Sequence, residues 1–416
     1  MKTLGEIAMA NRAGQAIGIP SYCTAHAETL SAVLASYAGD DEPVLIEATC
    51  NQVNQFGGYT GMTPAGFHNF IDILAAGEGV APDRIILGGD HLGPNPWKSE
   101  PAAIAMTKAK AMVAEYVTAG FTKIHLDASM ACADDGRLAE ETMAERAAEL
   151  CAVAEAASGG RPLSYVIGTE VPIPGGETAL LDTLAVTTPE AAERTFQLHE
   201  AAFSARGLEA ALGRVIGVVV QPGVDFGNAQ VFGYRPERAT ELSEAIFDIP
   251  NAVFEAHSTD YQTQAALSAL VATHFGILKV GPELTFAFRQ AVVAMANIER
   301  YLSVRQSNVL DIVADEMQHD QKDWRNYIAE NDREAAMRLF GLSDRIRYYW
   351  PRPRVAGAVQ TLFANIDSAH PEIGLIAQYA PPRHPETAGK LPLSARIIRD
   401  HVSAVVDKYR RATTPV

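Results

Sequence analysis

Cysteine is scarce in this chain and never clustered. The four cysteines, Cys23, Cys50, Cys132 and Cys151, stand far apart with no CxxC pair, which excludes a zinc–thiolate cluster and gives no disulfide framework. They read as reduced, buried packing residues, with a nucleophile as the sharper alternative for Cys23 and Cys50 near strand ends. Long apolar runs are also missing. None approaches the roughly 18 residues of a membrane span, and the opening MKTLGEIAMANRAGQ lacks the apolar core of a signal peptide; a cytoplasmic protein is expected. Positive charge is in deficit, with 34 Lys and Arg against 50 Asp and Glu and a formal charge of -16. That field repels polyanions, so neither nucleic acid nor a membrane surface is expected as a partner, whereas a small anionic substrate remains compatible with local cations. Neither GxGxxG nor GxxxxGK[ST] follows any apolar run, which removes two glycine-rich nucleotide cradles.

What is present is a repeated unit. Apolar, β-type runs occur at Ile17 to Cys23, Val44 to Thr49, Arg84 to Gly89, Lys123 to Asp127, Ser164 to Glu170, Val215 to Gln221, Ala252 to His257 and Ile277 to Gly281. Between them lie segments with alanine, leucine and glutamate at helical spacing, such as Pro101 to Ala119 and Ala139 to Ala157. Alternating strands and helices imply parallel pairing, and eight such units close into a (β/α)8 TIM barrel of the α/β class. The expected organisation is a barrel over 1–305 and a mainly helical extension over 306–416, packed on the barrel. FAFRQAVVAMANIERYLSV reads as the barrel's last helix. Within the extension, Leu342 to Arg354 (LSDRIRYYWPRPR) combines four arginines with three adjacent aromatics; it reads either as a helix stopped by Pro351 or as a basic patch for phosphate or a subunit contact.

In a barrel the carboxyl ends of the strands converge on one mouth. The run RIILGGDHLGP places Asp90 and His91 at the third exit, where a carboxylate beside an imidazole can bind a metal and move protons. The other exits offer Glu47, Asn51, Gln52 and Asn54, then His125 and Asp127, Glu170, Gln221, the group Glu255, His257, Ser258 and Asp260, and Lys279 with Glu283. His91, His257 and Glu170 would make a two-His, one-carboxylate set for a divalent cation. By strand alternation, Asp127 and His257 at the rim put His125 and Glu255 one layer deeper, in a structural role; His26, His68, His199 and His274 read as structural or solvent-exposed. Lys279 admits a Schiff base, pairing with Glu283 or a neighbouring carboxylate, or a phosphate contact. The segment GPELTF after the last strand offers helix-start amides suited to phosphate, or a plain helix start.

The blocks IEATCNQVNQFGGYTGMTP, IILGGDHLGPNPW, KIHLDASM, SYVIGTEVPIPGGE, VVQPGVDF, FEAHSTDYQT, LKVGPELTFAFRQA and LSDRIRYYW together resemble the tagatose-bisphosphate aldolase accessory-subunit family along almost the entire chain. Members of that family carry the labels of non-catalytic subunits of a class II aldolase in galactitol or N-acetylgalactosamine catabolism, of tagatose 6-phosphate kinases and of sugar-phosphate 4-epimerases. The family in turn resembles the zinc-dependent class II aldolases: Asp90 and His91 match their catalytic carboxylate and metal ligand, Asp127 and Ser129 their Asp-x-Ser element, Glu170 their acidic residue, and His257 their last metal histidine. Gln221 stands where those enzymes present another ligand histidine, and HSTD replaces their glycine-rich phosphate turn.

The resemblance implies a metal-dependent 4-epimerase interconverting D-tagatose 6-phosphate and D-fructose 6-phosphate by retro-aldol chemistry. In it His91, His257 and Glu170 hold zinc, manganese, cobalt or magnesium. Asp90 or Asp127 transfers the proton, and Gln221 orients substrate or completes coordination. Asn51, Gln52, Asn54 and Ser258 contact hydroxyls, with Asp260 and Lys279 also toward substrate. The alternative is a non-catalytic subunit stabilising a separate class II aldolase. A phosphorylated ketose, a class II aldolase chain and further copies of this chain are the expected partners; the kinase label is disfavoured for want of a nucleotide loop.

Overall fold

The computed structural model describes residues 2–168, 184–329, 331, 333–383 and 391–414. Glu170 lies outside them. The eight apolar runs form the strands of a closed parallel barrel: β1 Ile19–Cys23, β2 Val44–Thr49, β3 Ile85–Leu92, β4 Lys123–Leu126, β5 Ser164–Ile167, β6 Val215–Val220, β9 Val253–Ala256 and β10 Phe275–Val280. They follow one another around the ring in chain order, and β10 closes against β1 with Ile19 opposite Ile277. Between β6 and β9 a two-strand hairpin, β7 Asp225–Phe226 with β8 Val231–Phe232, stands apart from the barrel sheet; runs of two residues carry no alternation to read in a sequence.

The amino-terminal end of the barrel is closed by the helix Leu4–Arg12. Its Leu4, Ile7 and Ala8 pack with Ile17, Ile19, Leu45, Val166, Ile216, Val253 and Ile277 in an apolar plug. Thr3 and Glu6 hold the start of that helix in a reciprocal capping box.

Above the plug the interior turns ionic. Lys123 Nζ meets Glu47 Oε1 at 2.5 Å and Glu255 Oε2 at 2.7 Å, all three fully buried. Lys279 Nζ donates to Glu47 Oε2 at 2.7 Å. Each buried charge thus faces one of opposite sign, the condition under which burial of ions is tolerated.

The helix that follows β10, Pro282–Glu299, is joined on the barrel's flank by the carboxyl-terminal helix Leu393–Thr413, which contacts β1 and the helices Ala27–Ala35, Gln264–Ala272 and Pro282–Glu299. Tyr409 anchors it: its hydroxyl donates to the Thr259 carbonyl at 2.7 Å. Among the described residues no helix is long and apolar enough to cross a membrane.

Candidate functional site

The sequence GGDH builds the centre of the site through a local irregularity. Between Gly89 and Leu92 the register of β3 against β4 shifts, so that Asp90 and His91 lie against the single residue His125. His91 has φ +48°, a left-handed conformation that a non-glycine residue adopts at some cost. Such a bulge re-aims a side chain that strict alternation would send toward the helices. The two glycines make room for it: a Cβ on Gly88 would lie 2.6 Å from Glu47 Cγ, and one on Gly89 2.6 Å from Leu92 Cδ1.

One carboxylate and three imidazoles meet there. Ligand-type atoms of Asp90, His91, His125 and His257 lie within 4.8 Å of one another. Each histidine is oriented by an acceptor. His91 Nδ1 is 2.7 Å from Asp127 Oδ2, and Asp127 is itself held by the Ser129 backbone and hydroxyl, at 3.0 and 2.6 Å. His125 Nε2 gives its proton to the Gly168 carbonyl at 2.9 Å. His257 Nε2 lies 2.8 Å from Glu255 Oε1. These contacts assign the lone pairs to His91 Nε2, His125 Nδ1 and His257 Nδ1, with Asp90 beside them. Outer carboxylate and carbonyl groups that fix imidazole tautomers are the usual support of a metal site, so the donor set fits a divalent cation.

The charges agree with that chemistry at His257 but not at His91, where burial lowers the pKa yet Asp90 and Asp127 outweigh it and raise it, so that His91 must give up a proton to take a cation. Burial lowers the His257 pKa to about 3, keeping the imidazole in the neutral form a cation requires. Burial pushes Asp90 up, but His91 and Lys279 outweigh it and hold the carboxyl well below its usual range. Burial lowers Lys279, yet Asp90 and Glu47 outweigh it and keep the ammonium well above its usual range. A lysine so held is protonated, which removes the Schiff-base reading, since that needs the free amine. Burial and Asp90 push the Cys23 thiol well up, the opposite of an activated nucleophile.

The cluster opens into a cavity of about 730 Å³. Asn51, Gln52, Asp90, His91, Asp127, His257, Ser258, Asp260 and Lys279 all line it. Two other expected substrate contacts are not among its lining residues. Asn54 uses its amide within its own loop, donating to the Cys50 carbonyl and accepting from Phe56 and Gly58. Gln221 Oε1 accepts the backbone amides of Gly223 and Val224 at 2.8 and 2.9 Å, closing the turn after β6.

Several local expectations are corrected. Lys279 takes the carboxylate-partner reading, pairing with Glu47 and Asp90, but its partner is not Glu283, which pairs with Lys408 at 2.6 Å. His125 is fully buried and hydrogen-bonded beneath the cavity lining, as its deeper layer implied, yet it also belongs to the cluster. His26 also lines the cavity and packs on Phe288 with ring centres 4.1 Å apart. Leu342 to Arg354 is not a helix ended by Pro351: it forms a short 3-10 turn, Arg345–Tyr348, after which Pro353 opens the helix Pro353–Ala369. Arg345, Arg347, Tyr348 and Trp350 of this segment line the same cavity. The helix start after β10 is also filled, because Asp260 Oδ1 accepts the amides of Gly281 and Glu283 at 3.0 and 2.7 Å.

Known proteins share this architecture. Residues 4–414 match the family described as D-tagatose-1,6-bisphosphate aldolase subunit GatZ/KbaZ-like. The chain is 47% identical over 419 residues to the D-tagatose-1,6-bisphosphate aldolase subunit GatZ of Salmonella newport, covering 99% of both chains. It is 48% identical over 415 residues to the subunit of the same name from Klebsiella pneumoniae, covering 97% of this chain and 98% of the relative. A crystal structure titled as a "probable tagatose 6 phosphate kinase" from Sinorhizobium meliloti 1021 superposes with a TM-score of 0.87 at 44% identity, over 95% of this chain and all of the other.

Proposed function

Because the chain belongs to the D-tagatose-1,6-bisphosphate aldolase subunit GatZ/KbaZ-like family, we propose that it works as one subunit of a tagatose-bisphosphate aldolase, alongside a class II aldolase chain. The observation that carries this is the match to subunits of that name over nearly the full length of both proteins. Co-expression with a class II tagatose-bisphosphate aldolase tests it: the two chains are expected to co-elute, and the aldolase to gain activity or lifetime. An aldolase that behaves identically with and without this chain sinks the reading.

A second activity, residing in this chain itself, is supported by the four-residue cluster, of which Asp90, His91 and His257 line the cavity. It is a metal-dependent 4-epimerisation of D-tagatose 6-phosphate to D-fructose 6-phosphate. His91, His125 and His257 would hold the cation, and Glu170, outside the described residues, remains the proposed acidic ligand. Bound there, a divalent cation supplies Lewis-acid polarisation of a ketose oxygen. The hydrogen on carbon 4 is not acidified by the ketone at carbon 2, so direct deprotonation is hard. Asp90 instead takes the proton of the 4-hydroxyl. The bond between carbons 3 and 4 breaks with its electron pair drawn toward the carbonyl, the aldehyde turns, and the bond re-forms on its other face as Asp90 returns the proton. Asp127, already bonded to His91 and Ser129, is the positioning carboxylate.

A kinase activity is not carried over from the Sinorhizobium structure's title, since the sequence has no glycine-rich nucleotide loop. Incubating the purified chain with tagatose 6-phosphate and zinc or manganese should yield fructose 6-phosphate by NMR, and Asp90→Asn should lower that rate by about two orders of magnitude or more. No conversion with any divalent metal would remove the second activity and leave the subunit role standing.

A further inference from the structure

Among the described residues, Arg345 and Arg347 are cations without an ion-paired carboxylate. Both line the cavity, and among the described residues no Asp or Glu side chain lies within ion-pair distance of either. Their neighbours are neutralised: in the same extension Arg352 pairs with Asp320 at 2.7 Å and Arg354 with Asp315 at 3.3 Å, and on the barrel's last helix Arg289 pairs with Asp344 at 3.1 Å. Asp323 and Asp344 act on Arg345 and Arg347 only from beyond ion-pair distance, so two half-buried guanidiniums at a cavity, in a chain of charge -16, are left able to take a counter-charge from outside.

They are also held in place. Arg347 Nη1 donates to the Ser343 and Asp344 carbonyls at 2.5 and 3.1 Å, and Nη2 to the Tyr348 hydroxyl at 3.0 Å. The Arg345 guanidinium stacks 3.7 Å from the centre of the Tyr327 ring and 4.7 Å from that of Tyr348. A guanidinium fixed by carbonyls and rings loses little freedom on taking up an anion.

The usual anion site of this fold is closed. Barrels commonly bind phosphate at the loops after the seventh and eighth strands and at a helix start; here the Asp260 carboxylate caps the helix after β10. A phosphate placed there would meet a carboxylate already bonded to the amides it needs.

We infer that Arg347, with Arg345 and Tyr348, forms the anion-binding end of the cavity and takes the phosphomonoester group of the ligand. The carboxyl-terminal extension thus reads the phosphate while the barrel mouth handles the sugar. Two guanidiniums suit the double charge of a phosphomonoester, with the fork geometry that arginine offers such oxygens. Burial pushes the Tyr348 phenol up, but Arg347 and Arg345 outweigh it and hold it below the usual tyrosine range, as an excess of local positive charge demands.

The assignment of a sugar phosphate rests on the proposed function above; the anion site itself does not. Calorimetric titration of the full-length chain with inorganic phosphate, D-tagatose 6-phosphate and unphosphorylated D-tagatose separates the two. Arg347→Ala should weaken both phosphate-bearing probes by about tenfold or more and leave tagatose unchanged, while Arg354→Ala, on the outer surface, changes none. If Arg347→Ala lowers the thermal midpoint, Arg345→Gln, which keeps the side chain's bulk, is measured in its place with the same expectation. Wild-type binding of phosphate lost in the variant, with no binding of tagatose 6-phosphate, upholds the anion site and removes the ketose. Undiminished binding of the phosphorylated probes in folded variants, equal loss of tagatose, or a wild-type chain that binds neither phosphate nor tagatose 6-phosphate overturns the inference.

Discussion

His125 shows how far a single side chain can be placed from sequence. Asp90, His91 and His257 were legible because each follows an apolar run at a strand exit. His125 was not: alternation says which residues share a face of one strand, but not which layers of neighbouring strands coincide. The shift between Gly89 and Leu92 brings His125 Nδ1 to 3.0 Å from Asp90 Oδ1, a displacement no periodicity records. If the cluster holds a cation, His125→Ala should lower metal content by mass spectrometry as much as His91→Ala or His257→Ala does; full retention in His125→Ala would return that histidine to a structural role. Asp260 gives a second test at this scale. Burial and then the Glu283 charge raise its carboxyl to about 7, above an unfolded value of about 3.9. A raised folded pKa stabilises the fold fully below the unfolded value, and that contribution is lost as pH rises through about 7. Asp260→Asn keeps an oxygen for the Gly281 and Glu283 amides but cannot ionise, so urea midpoints should show it gaining stability relative to wild type from pH 5 to pH 8. Parallel curves would show that the carboxyl is not strained by its site.

Secondary elements were read more securely than their packing. The eight barrel strands were legible because β-branched runs such as Val215–Val220 are buried on both faces and need no alternation. The position of Leu393–Thr413 was not, because nothing in an amphipathic helix says which groove it fills. That helix contacts β1 and three barrel helices, and Arg410 joins it to Asp40 and Glu42 in the loop before β2. We propose that the barrel over 1–305 and the extension over 306–416 fold as one cooperative unit. Removing residues 393–416 should therefore leave a chain that is insoluble or lacks a cooperative melt, whereas Tyr409→Phe, which removes the hydroxyl bonded to the Thr259 carbonyl and hydroxyl, should cost about 1 kcal/mol in urea unfolding. A truncated chain with a wild-type melting curve would make the extension a separable appendage.

At the scale of the molecule, the fold stacks three interior layers: an apolar plug at the amino-terminal end, an ionic layer of Glu47, Lys123, Glu255 and Lys279, and the histidine cluster under the cavity. Nothing in the sequence marked the plug, the charged residues were visible one by one, and only closure of the ring pairs Glu47 on β2 with Lys279 on β10. The cluster draws on β3, on β4 and on the residue after β9, so a cation held there would tie three separate segments of the chain. A ligand that binds only the folded state stabilises it in proportion to the logarithm of its saturation, about 2.7 kcal/mol at a hundredfold excess over Kd. Over a chain of 416 residues that amounts to an upward shift of a few degrees in Tm. Chelator added to metal-loaded protein should reverse the shift, and zinc or manganese added back should restore it. The His257→Ala variant isolates the cause: it should melt lower than the loaded wild type and show no further response to chelator. A chelator-induced drop of the same size in that variant would place the stabilising cation elsewhere in the molecule.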